Sequence, residues 1–286
     1  MKVAGTVIKA LSAAIMATGL SIASLAPAQA DVIRTDIVFI VDESGSMGSV
    51  QANLRNNIGQ FANILSGGGV DATYALVGYG GSFPGTGYRP RLLSDFTDPT
   101  SFATAAQGLA TNGGTEPGYS AIVYALNGLD GQSPTLSFRS NSLPNIILLT
   151  DEPPSGESCT VSIPLCVGGS AVTQAVVDQV LKANSALLNV VISGTSTNTA
   201  FSTLALGNGG QIYNLTQFGS SSPQVVQDFV TAFANSKLQE IVDACTANPS
   251  LPGCQPSTAV PEPASMVLLL SGLVGLGVVK RRRHTA

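Results

Sequence analysis

The sequence predicts an α/β fold with a doubly wound, mostly parallel β-sheet that carries helices on both faces. Two largely apolar runs, residues 36–41 and 145–150, have the composition of central strands buried on both faces. Each run leads into an acidic residue, Asp42 or Asp151. Segments with a helical spacing of apolar residues alternate with the strands, and this alternation favours right-handed crossovers between parallel strands.

The helix between the first two strands has the clearest periodicity. Leu54, Ile58 and Phe61 recur at helical spacing, and a run of three glycines ends the helix. The predicted strands are 36–41, 72–79, 89–93 at an edge, 145–150, 187–193 and 211–213. The predicted helices are 50–65, 99–109, 117–126, 171–184, a short one near Ala200, and 223–243. Ligand sites of such sheets form beyond the carboxyl ends of strands, where Asp42 and Asp151 are predicted to lie.

Composition and charge indicate a packed, acidic domain. Of the 286 residues, 44% are hydrophobic and only 10% are charged. Residues 31–260 contain seven basic and 16 acidic residues, a formal charge of −9. Such a body should repel nucleic acid and attract cations, so a nucleic-acid-binding function is excluded.

The amino terminus has the features of a secretory signal peptide. Lys2 and Lys9 precede the apolar run 10–25, and Ala-Gln-Ala at 28–30 fits the cleavage pattern of signal peptidase. A buried helix is the alternative interpretation of the apolar run. The order of the parts favours export, with residues 1–30 removed and Asp31 as the first mature residue.

The carboxyl terminus has three parts in sequence. Val-Pro-Glu-Pro at 260–263 precedes the uncharged run 264–279, and four basic residues follow at 280–283. The run of 16 residues is slightly under the ~17–25 of a full membrane span. This tail, 261–286, resembles the PEP-CTERM sorting signal of Gram-negative bacteria. The resemblance implies a short transmembrane helix, recognition by exosortase and an association with exopolysaccharide; a plain tail anchor is the alternative.

Four cysteines suit an oxidising destination. Their proximity in sequence favours the pairs Cys159 with Cys166 and Cys245 with Cys254, although four cysteines allow three connectivities. Zinc binding is the competing interpretation, but the spacings are not Cys-x-x-Cys and the mature body has no histidine. The stretch 244–260 contains several prolines and is predicted to be a linker that follows the domain at 31–243.

The first buried strand leads into the sequence Asp-Glu-Ser-Gly-Ser at 42–46. Gly45 permits a tight turn, so Asp42, Ser44 and Ser46 can direct their oxygens to one point. Hard oxygen ligands of this kind suit Mg²⁺, Mn²⁺ or Ca²⁺. The alternative is that Ser44 or Ser46 caps the helix that follows.

Two further motifs accompany the first one: Gly-Gly-Thr at 113–115 and Leu-Leu-Thr-Asp at 148–151. Together the three motifs resemble the von Willebrand factor type A domain and its metal-ion-dependent adhesion site. The resemblance spans about 31–243 and implies a six-stranded sheet and a divalent cation, with Mg²⁺ expected first. The implied metal ligands are Asp42, Ser44, Ser46, Thr115 and Asp151.

In that family the hydroxyl groups supply neutral oxygens and the aspartates can act through bound water. The resemblance therefore implies an electron-poor ion whose open positions accept a carboxylate from a partner. Two departures from the family pattern are Glu152-Pro-Pro after Asp151 and an insertion at 155–169 that contains one cysteine pair. The insertion is expected either to shape specificity near the metal or merely to staple a long loop. Glu43 and Glu116 are next to the predicted site; they are predicted to be surface carboxylates, and the alternative is that they support the metal ligands.

These features predict an exported adhesion module that binds a protein or an acidic polysaccharide in the cell envelope, at the outer surface or in the extracellular matrix. The alternative is a structural component of exopolysaccharide or biofilm matrix with a stabilising metal. An enzyme is not expected, because the single histidine, His284, lies in the tail and a Ser-His-Asp hydrolase is thereby excluded for the body.

Overall fold

A computed structural model describes residues 32–254 as a six-stranded sheet covered by helices on both faces. The predicted signal peptide and sorting tail lie outside the described residues. Within 32–254, no helix combines the length and the apolar character that a membrane crossing requires. The strands are β1 Ile33–Asp42, β2 Val70–Tyr79, β3 Arg91–Thr97, β4 Leu143–Thr150, β5 Cys166–Val167, β6 Ser170–Ala171, β7 Leu187–Ile192 and β8 Ile212–Asn214.

The main sheet has the order β3-β2-β1-β4-β7-β8, and β5 and β6 form a separate two-stranded sheet. All neighbours in the main sheet are parallel except β2 and β3. The fold class predicted from the sequence is therefore confirmed, including the edge position of the third strand. The chain grows outward from β1 in one direction and then from β4 in the other, so the topological switch point lies between the carboxyl ends of β1 and β4.

The helices are α1 Gly48–Gly67, α2 Pro99–Ala105, α3 Gly118–Ala125, α4 Gln174–Ala183, α5 Thr195–Gly207, α6 Leu215–Phe218 and α7 Pro223–Ala247. Period-two alternation along β1 divides the core between the two faces of the sheet. Ile37, Phe39 and Val41 pack with the apolar sides of α1, α2, α6 and α7. Val38 and Ile40 pack with those of α3, α4 and α5 on the opposite face.

Several elements differ in extent from the sequence-based expectation. The edge strand predicted at 89–93 is β3, Arg91–Thr97, and β5, β6 and α6 were not predicted. The helix predicted near Ala200 is α5, which is 13 residues long. The helix predicted over 99–109 is α2 followed by a separate 3₁₀ turn. Helix α7 continues to Ala247, beyond the predicted domain end at Asp243.

The stretch after α7 is packed on the domain as far as it is described. Cys245 is 9% exposed and is bonded to Cys254. The carbonyl of Gly253 accepts a hydrogen bond of 3.0 Å from the amide of Arg34 at the start of β1. The predicted linker at 244–260 therefore begins with residues that the disulfide and this backbone bond hold against the amino end of the sheet.

The amino end of the sheet also contains a buried ion pair. Asp36 is fully buried, and its carboxylate accepts hydrogen bonds from the Nε of Arg139 at 2.7 Å and from the amide of Arg139 at 2.7 Å. The hydroxyls of Thr73 and Ser142 donate to the same carboxylate. The guanidinium of Arg139 also contacts Asp71 at 3.0 Å. Every oxygen of the buried Asp36 carboxylate is thus matched by donors and by a positive charge.

Candidate metal centre

Asp42 lies at the switch point, where β1 and β4 end side by side. It is fully buried, and its two carboxylate oxygens have different partners. Oδ1 accepts a hydrogen bond of 2.7 Å from the amide of Ser44, and Oδ2 accepts one of 2.7 Å from the hydroxyl of Thr150. Burial, together with the charge of nearby Asp151, raises the pKa of Asp42 to about 6, although these hydrogen bonds oppose the rise. No basic side chain pairs with Asp42 among residues 32–254.

The hydroxyls of Ser44 and Ser46 lie close together on the loop that follows β1. Their Oγ atoms are 3.2 Å apart on the 3₁₀ turn Gly45–Met47, which precedes α1. Neither serine caps the turn or α1, since no side-chain capping hydrogen bond is present at either start. The structure therefore does not support the alternative interpretation of these serines as helix caps.

The second motif approaches the first through glycine contacts. Gly113 forms a β-bridge with Ser44, and a Cβ on Gly113 would lie 1.7 Å from the carbonyl oxygen of Gly80. A Cβ on Gly80 would in turn lie 3.4 Å from the carbonyl oxygen of Thr115 and 3.5 Å from Oδ1 of Asp42. The Cβ position of Gly80 thus lies at van der Waals distance from both the Asp42 carboxylate and the backbone of Thr115, so the two segments meet on one side of Gly80.

The third motif contributes a carboxylate oxygen that lacks a partner. Oδ1 of Asp151 is buried and accepts no hydrogen bond from any described residue. A buried carboxylate oxygen without a donor is costly, so it indicates a missing cation or water. Asp151 also raises the pKa of Asp42, which places the two carboxylates within electrostatic range of each other. These observations fit a divalent cation bound between the two aspartates.

Two more acidic side chains surround these aspartates. Glu116 is 5% exposed, which corrects the prediction of a surface carboxylate. Burial and the charges of Asp42, Glu152 and Asp151 raise the pKa of Glu116 to about 7, against the opposing effect of its hydrogen bond with Ser155. Four carboxyl groups therefore share one edge of the sheet, and the resulting negative potential attracts cations.

Glu43 is also buried, contrary to the prediction, and it has a structural role beside the centre. Its carboxylate forms a bidentate ion pair with the guanidinium of Arg91 and accepts a hydrogen bond of 2.7 Å from the amide of Ala110. Its carbonyl accepts bonds of 3.1 Å from the amides of Asn112 and Gly113. Glu43 thus ties the first motif to the loop that carries the second one.

All five predicted ligands belong to segments that the fold brings to the same edge of the sheet. Asp42, Ser44 and Ser46 form one loop, Thr115 approaches it beside Gly80, and Asp151 follows the strand next to β1. Within residues 32–254, no group of three or more His, Cys, Asp or Glu side chains is placed to hold a metal ion. The predicted set contains two carboxylates and takes its remaining oxygens from hydroxyl groups.

The cysteines form two disulfides, Cys159 with Cys166 and Cys245 with Cys254, which confirms the favoured connectivity. The first one closes the insertion between β4 and α4, next to the candidate centre. Because no cysteine is free, the competing zinc interpretation has no thiolate ligands left in this chain.

The family model of the von Willebrand factor type A domain matches residues 36–239, and the chain belongs to that family. The model of the PEP-CTERM protein-sorting motif matches residues 259–283. This motif implies export to the cell envelope or extracellular space of a Gram-negative bacterium and processing by exosortase. Both resemblances seen in the sequence are confirmed, and the type A domain implies an adhesion-type module that binds protein.

Among solved structures, the chain is similar to the von Willebrand factor type A protein from Catenulispora acidiphila, with 16% sequence identity and a TM-score of 0.46. The match covers 71% of this chain and 43% of that chain, so this protein spans less than half the length of that relative. None of the curated proteins matches the chain.

Proposed function

We propose that the protein is an exported adhesion module that binds one divalent cation and uses it to bind a carboxylate of a partner. Mg²⁺ is the proposed cation. The observation that carries the proposal is the buried, unpartnered Oδ1 of the half-buried Asp151, which lies at the same edge of the sheet as the fully buried Asp42. Two acidic groups in this position without a basic partner call for a cation from outside the chain. The ligands proposed to hold the cation are Asp42, Ser44, Ser46, Thr115 and Asp151.

The donor set determines which ions fit. Carboxylate and hydroxyl oxygens are hard ligands, which favour Mg²⁺, with Mn²⁺ or Ca²⁺ as other ions of the same preference. A bound ion would offer an open coordination position to a carboxylate oxygen of the partner. The chain's own residues orient a ligand, because Thr150 and the amide of Ser44 fix the carboxylate of Asp42.

Binding, rather than catalysis, is the proposed use of the site. The sequence between the signal peptide and the tail contains no histidine that could serve as a general base. The proposed partners are a protein or an acidic polysaccharide of the cell envelope or extracellular matrix. Nucleic acid is not a proposed partner because the body is acidic. Before processing, the carboxyl-terminal tail is proposed to attach the protein to the membrane.

A titration of the purified protein with Mg²⁺ and Mn²⁺, followed by calorimetry, tests the proposal. Asp42→Ala and Ser44→Ala should each weaken ion binding, because they remove one carboxylate and one hydroxyl of the same loop. Asp228 on α7 is exposed and Ser202 on α5 is half-buried, and neither belongs to the three motifs. They supply the matched controls Asp228→Ala and Ser202→Ala. Equal affinity in all four variants and the native protein would refute the metal site.

A second candidate function is a structural component of exopolysaccharide or biofilm matrix whose metal ion mainly stabilises the fold. The accumulation of Asp42, Asp151, Glu116 and Glu152 at one edge favours it, because a cation there would relieve their mutual repulsion. Chelation separates the two candidates. Loss of partner binding with the melting temperature preserved supports adhesion, whereas a lower melting temperature with partner binding preserved supports the structural role.

A further inference from the structure

The insertion between β4 and α4 runs along the second metal motif at its beginning. The amide of Ser155 donates a hydrogen bond of 2.8 Å to the carbonyl of Glu116, and the hydroxyl of Ser155 accepts one of 2.9 Å from the amide of Glu116. The same hydroxyl lies 3.3 Å from Oε2 of Glu116. Ser155 therefore holds both the backbone and the side chain of the residue that follows Thr115.

The next residue, Gly156, packs directly against Thr115. Its φ is +68°, and a Cβ at this position would lie 2.3 Å from Cγ2 of Thr115. The carbonyl of Gly156 accepts a hydrogen bond of 3.1 Å from the hydroxyl of Tyr88. Gly156 thus defines one wall of the space available to the Thr115 side chain, and only glycine fits both the backbone conformation and the contact.

Glu157 then binds the start of α3, two turns of helix that begin just after the metal motif. Its carboxylate accepts hydrogen bonds from the amide of Tyr119 at 2.8 Å and from the amide of Ser120 at 3.2 Å, and it also contacts the Ser120 hydroxyl. Pro117, at the N-cap of α3, supplies no side-chain cap of its own. Glu157 therefore satisfies amides that would otherwise lack partners.

These three residues, 155–157, are here called the clamp segment, and they contact the side chain of Thr115 and the backbone of residues that follow it, Glu116, Tyr119 and Ser120. The far end of the insertion is held separately. The Asp130 carboxylate accepts hydrogen bonds from the amides of Gly168 and Gly169 at 3.0 and 2.8 Å. The disulfide between Cys159 and Cys166 closes the loop between these two anchors.

We propose that the clamp segment sets the position of Thr115 and thereby the affinity of the site for its divalent cation, with Ser155, Gly156 and Glu157 as positioning residues. This inference rests on the proposed function and deepens it. The segment contacts the Thr115 side chain through Gly156 and binds the backbone that follows Thr115 through Ser155 and Glu157. Loosening it should therefore displace that ligand while leaving Asp42 and the serine loop in place. Residues that orient metal ligands typically change metal affinity by about 10–100-fold when they are substituted.

Two glycine variants of the intact protein form the main test. Gly156→Ala and Gly168→Ala both place an alanine at positive φ in the same insertion, at +68° and +58°. Only the first new methyl group meets Thr115, because nothing lies within 4 Å of a Cβ on Gly168. Calorimetric titration with Mg²⁺ should show about tenfold or greater weakening for Gly156→Ala and native affinity for Gly168→Ala. Equal affinity in the two variants would overturn the inference.

A second pair removes carboxylates from the two anchors. Glu157→Ala should weaken Mg²⁺ binding by about tenfold, whereas Asp130→Ala should leave it unchanged although it frees the far end of the insertion. Glu157→Gln should recover part of the lost affinity, since its amide oxygen can still accept from the amide of Tyr119. An Asp130→Ala protein that loses as much affinity as Glu157→Ala would show a general effect of loop order and would contradict a specific clamp.

A measurement without metal separates this inference from the proposed function. In the metal-free protein, Glu157→Ala should accelerate hydrogen exchange of the amides of Tyr119 and Ser120, and also of Glu116, which Glu157 does not touch. Faster exchange at Glu116 supports the clamp even if the native protein fails to bind Mg²⁺, a result that would refute only the proposed metal site. Faster exchange confined to Tyr119 and Ser120 would reduce Glu157 to a local helix cap and overturn the inference.

Discussion

Two buried aspartates on the same central strand have opposite environments. Asp36, near the amino end of β1, is matched by the guanidinium and amide of Arg139 and by two hydroxyl groups. Asp42, at the carboxyl end, accepts two hydrogen bonds and faces other carboxylates. At the amino end of β1 the buried negative charge is paired with a basic side chain of the chain, whereas at the carboxyl end no basic side chain among residues 32–254 pairs with Asp42. The comparison separates a carboxylate that stabilises the fold from one that is suited to an external cation.

The largest expected effect is at the amino end. Arg139→Met removes the positive partner of a fully buried carboxylate, and we expect a loss of about 3–5 kcal/mol in the free energy of unfolding. Urea denaturation followed by circular dichroism measures it. The double substitution Asp36→Asn with Arg139→Met should recover part of the loss, because no charge then remains unpaired. A single variant as stable as the native protein would remove the contrast between the two ends.

The pH dependence of stability sharpens the comparison at the carboxyl end. Burial raises the pKa of Asp42 to about 6 and the pKa values of Glu116 and Glu157 to about 7. The folded state therefore binds more protons than the unfolded state between about pH 4.5 and pH 7, so stability falls as pH rises through this window. We expect a decline of about 2–3 kcal/mol for the metal-free protein, after allowance for solvent screening.

Saturating Mg²⁺ should abolish most of this decline, because a bound cation favours the ionised carboxylates. Thermal unfolding between pH 4.5 and pH 7.5, with and without Mg²⁺, provides the measurement. Stability that rises with pH in the metal-free protein would contradict the raised pKa values. A decline that persists in Mg²⁺ would instead argue against a cation among these groups.

Two serines provide a matched pair with a smaller effect. Ser142 donates a hydrogen bond of 2.6 Å to the buried carboxylate of Asp36, so Ser142→Ala should cost about 2 kcal/mol. The Ser44 hydroxyl, in contrast, is hydrogen-bonded to the exposed Ser46 hydroxyl and helps to lower the pKa of Asp42, so Ser44→Ala should cost less than Ser142→Ala in the metal-free protein. Denaturation of both variants tests this, and equal losses would show that the Ser44 hydroxyl also serves the fold.

The smallest expected effect is a gain. Asp42→Asn removes a buried charge that has no basic partner, so we expect the metal-free protein to be stabilised by about 1 kcal/mol at pH 7 while Mg²⁺ binding is lost. Chemical denaturation and calorimetry on the same samples measure both quantities. Asp36→Asn is the control, since it removes a paired charge and should destabilise the protein. Destabilisation of similar size in both variants would make the two aspartates equivalent.

The fold could be predicted from the sequence because the patterns that indicate its strands and helices are local. Strand β1 is an apolar run between turn-forming residues, and α1 has a regular apolar stripe ended by glycines, so burial and periodicity predicted both. The ligand motifs were found because Asp42, Ser44 and Ser46 are neighbours in sequence. Whether these residues bind a cation stays a prediction.

The contacts that complete the two ends of the sheet could not be predicted in the same way. Asp36 and Arg139 are 103 residues apart, and Glu43 and Arg91 are 48 residues apart. No local pattern marks such pairs, so Glu43 was expected on the surface. The contacts of Glu157 with Tyr119 and Ser120 likewise depend on how the insertion folds back over α3, which follows from the tertiary structure alone.

The backbone hydrogen bond between Arg34 and Gly253 lies at the end of the sheet opposite to the candidate metal centre. It joins the start of β1 to the segment after α7 at one end of the sheet, while the acidic residues Asp42 and Asp151 lie at the other end. A ligand that approaches the acidic end of the sheet therefore meets neither end of the described chain.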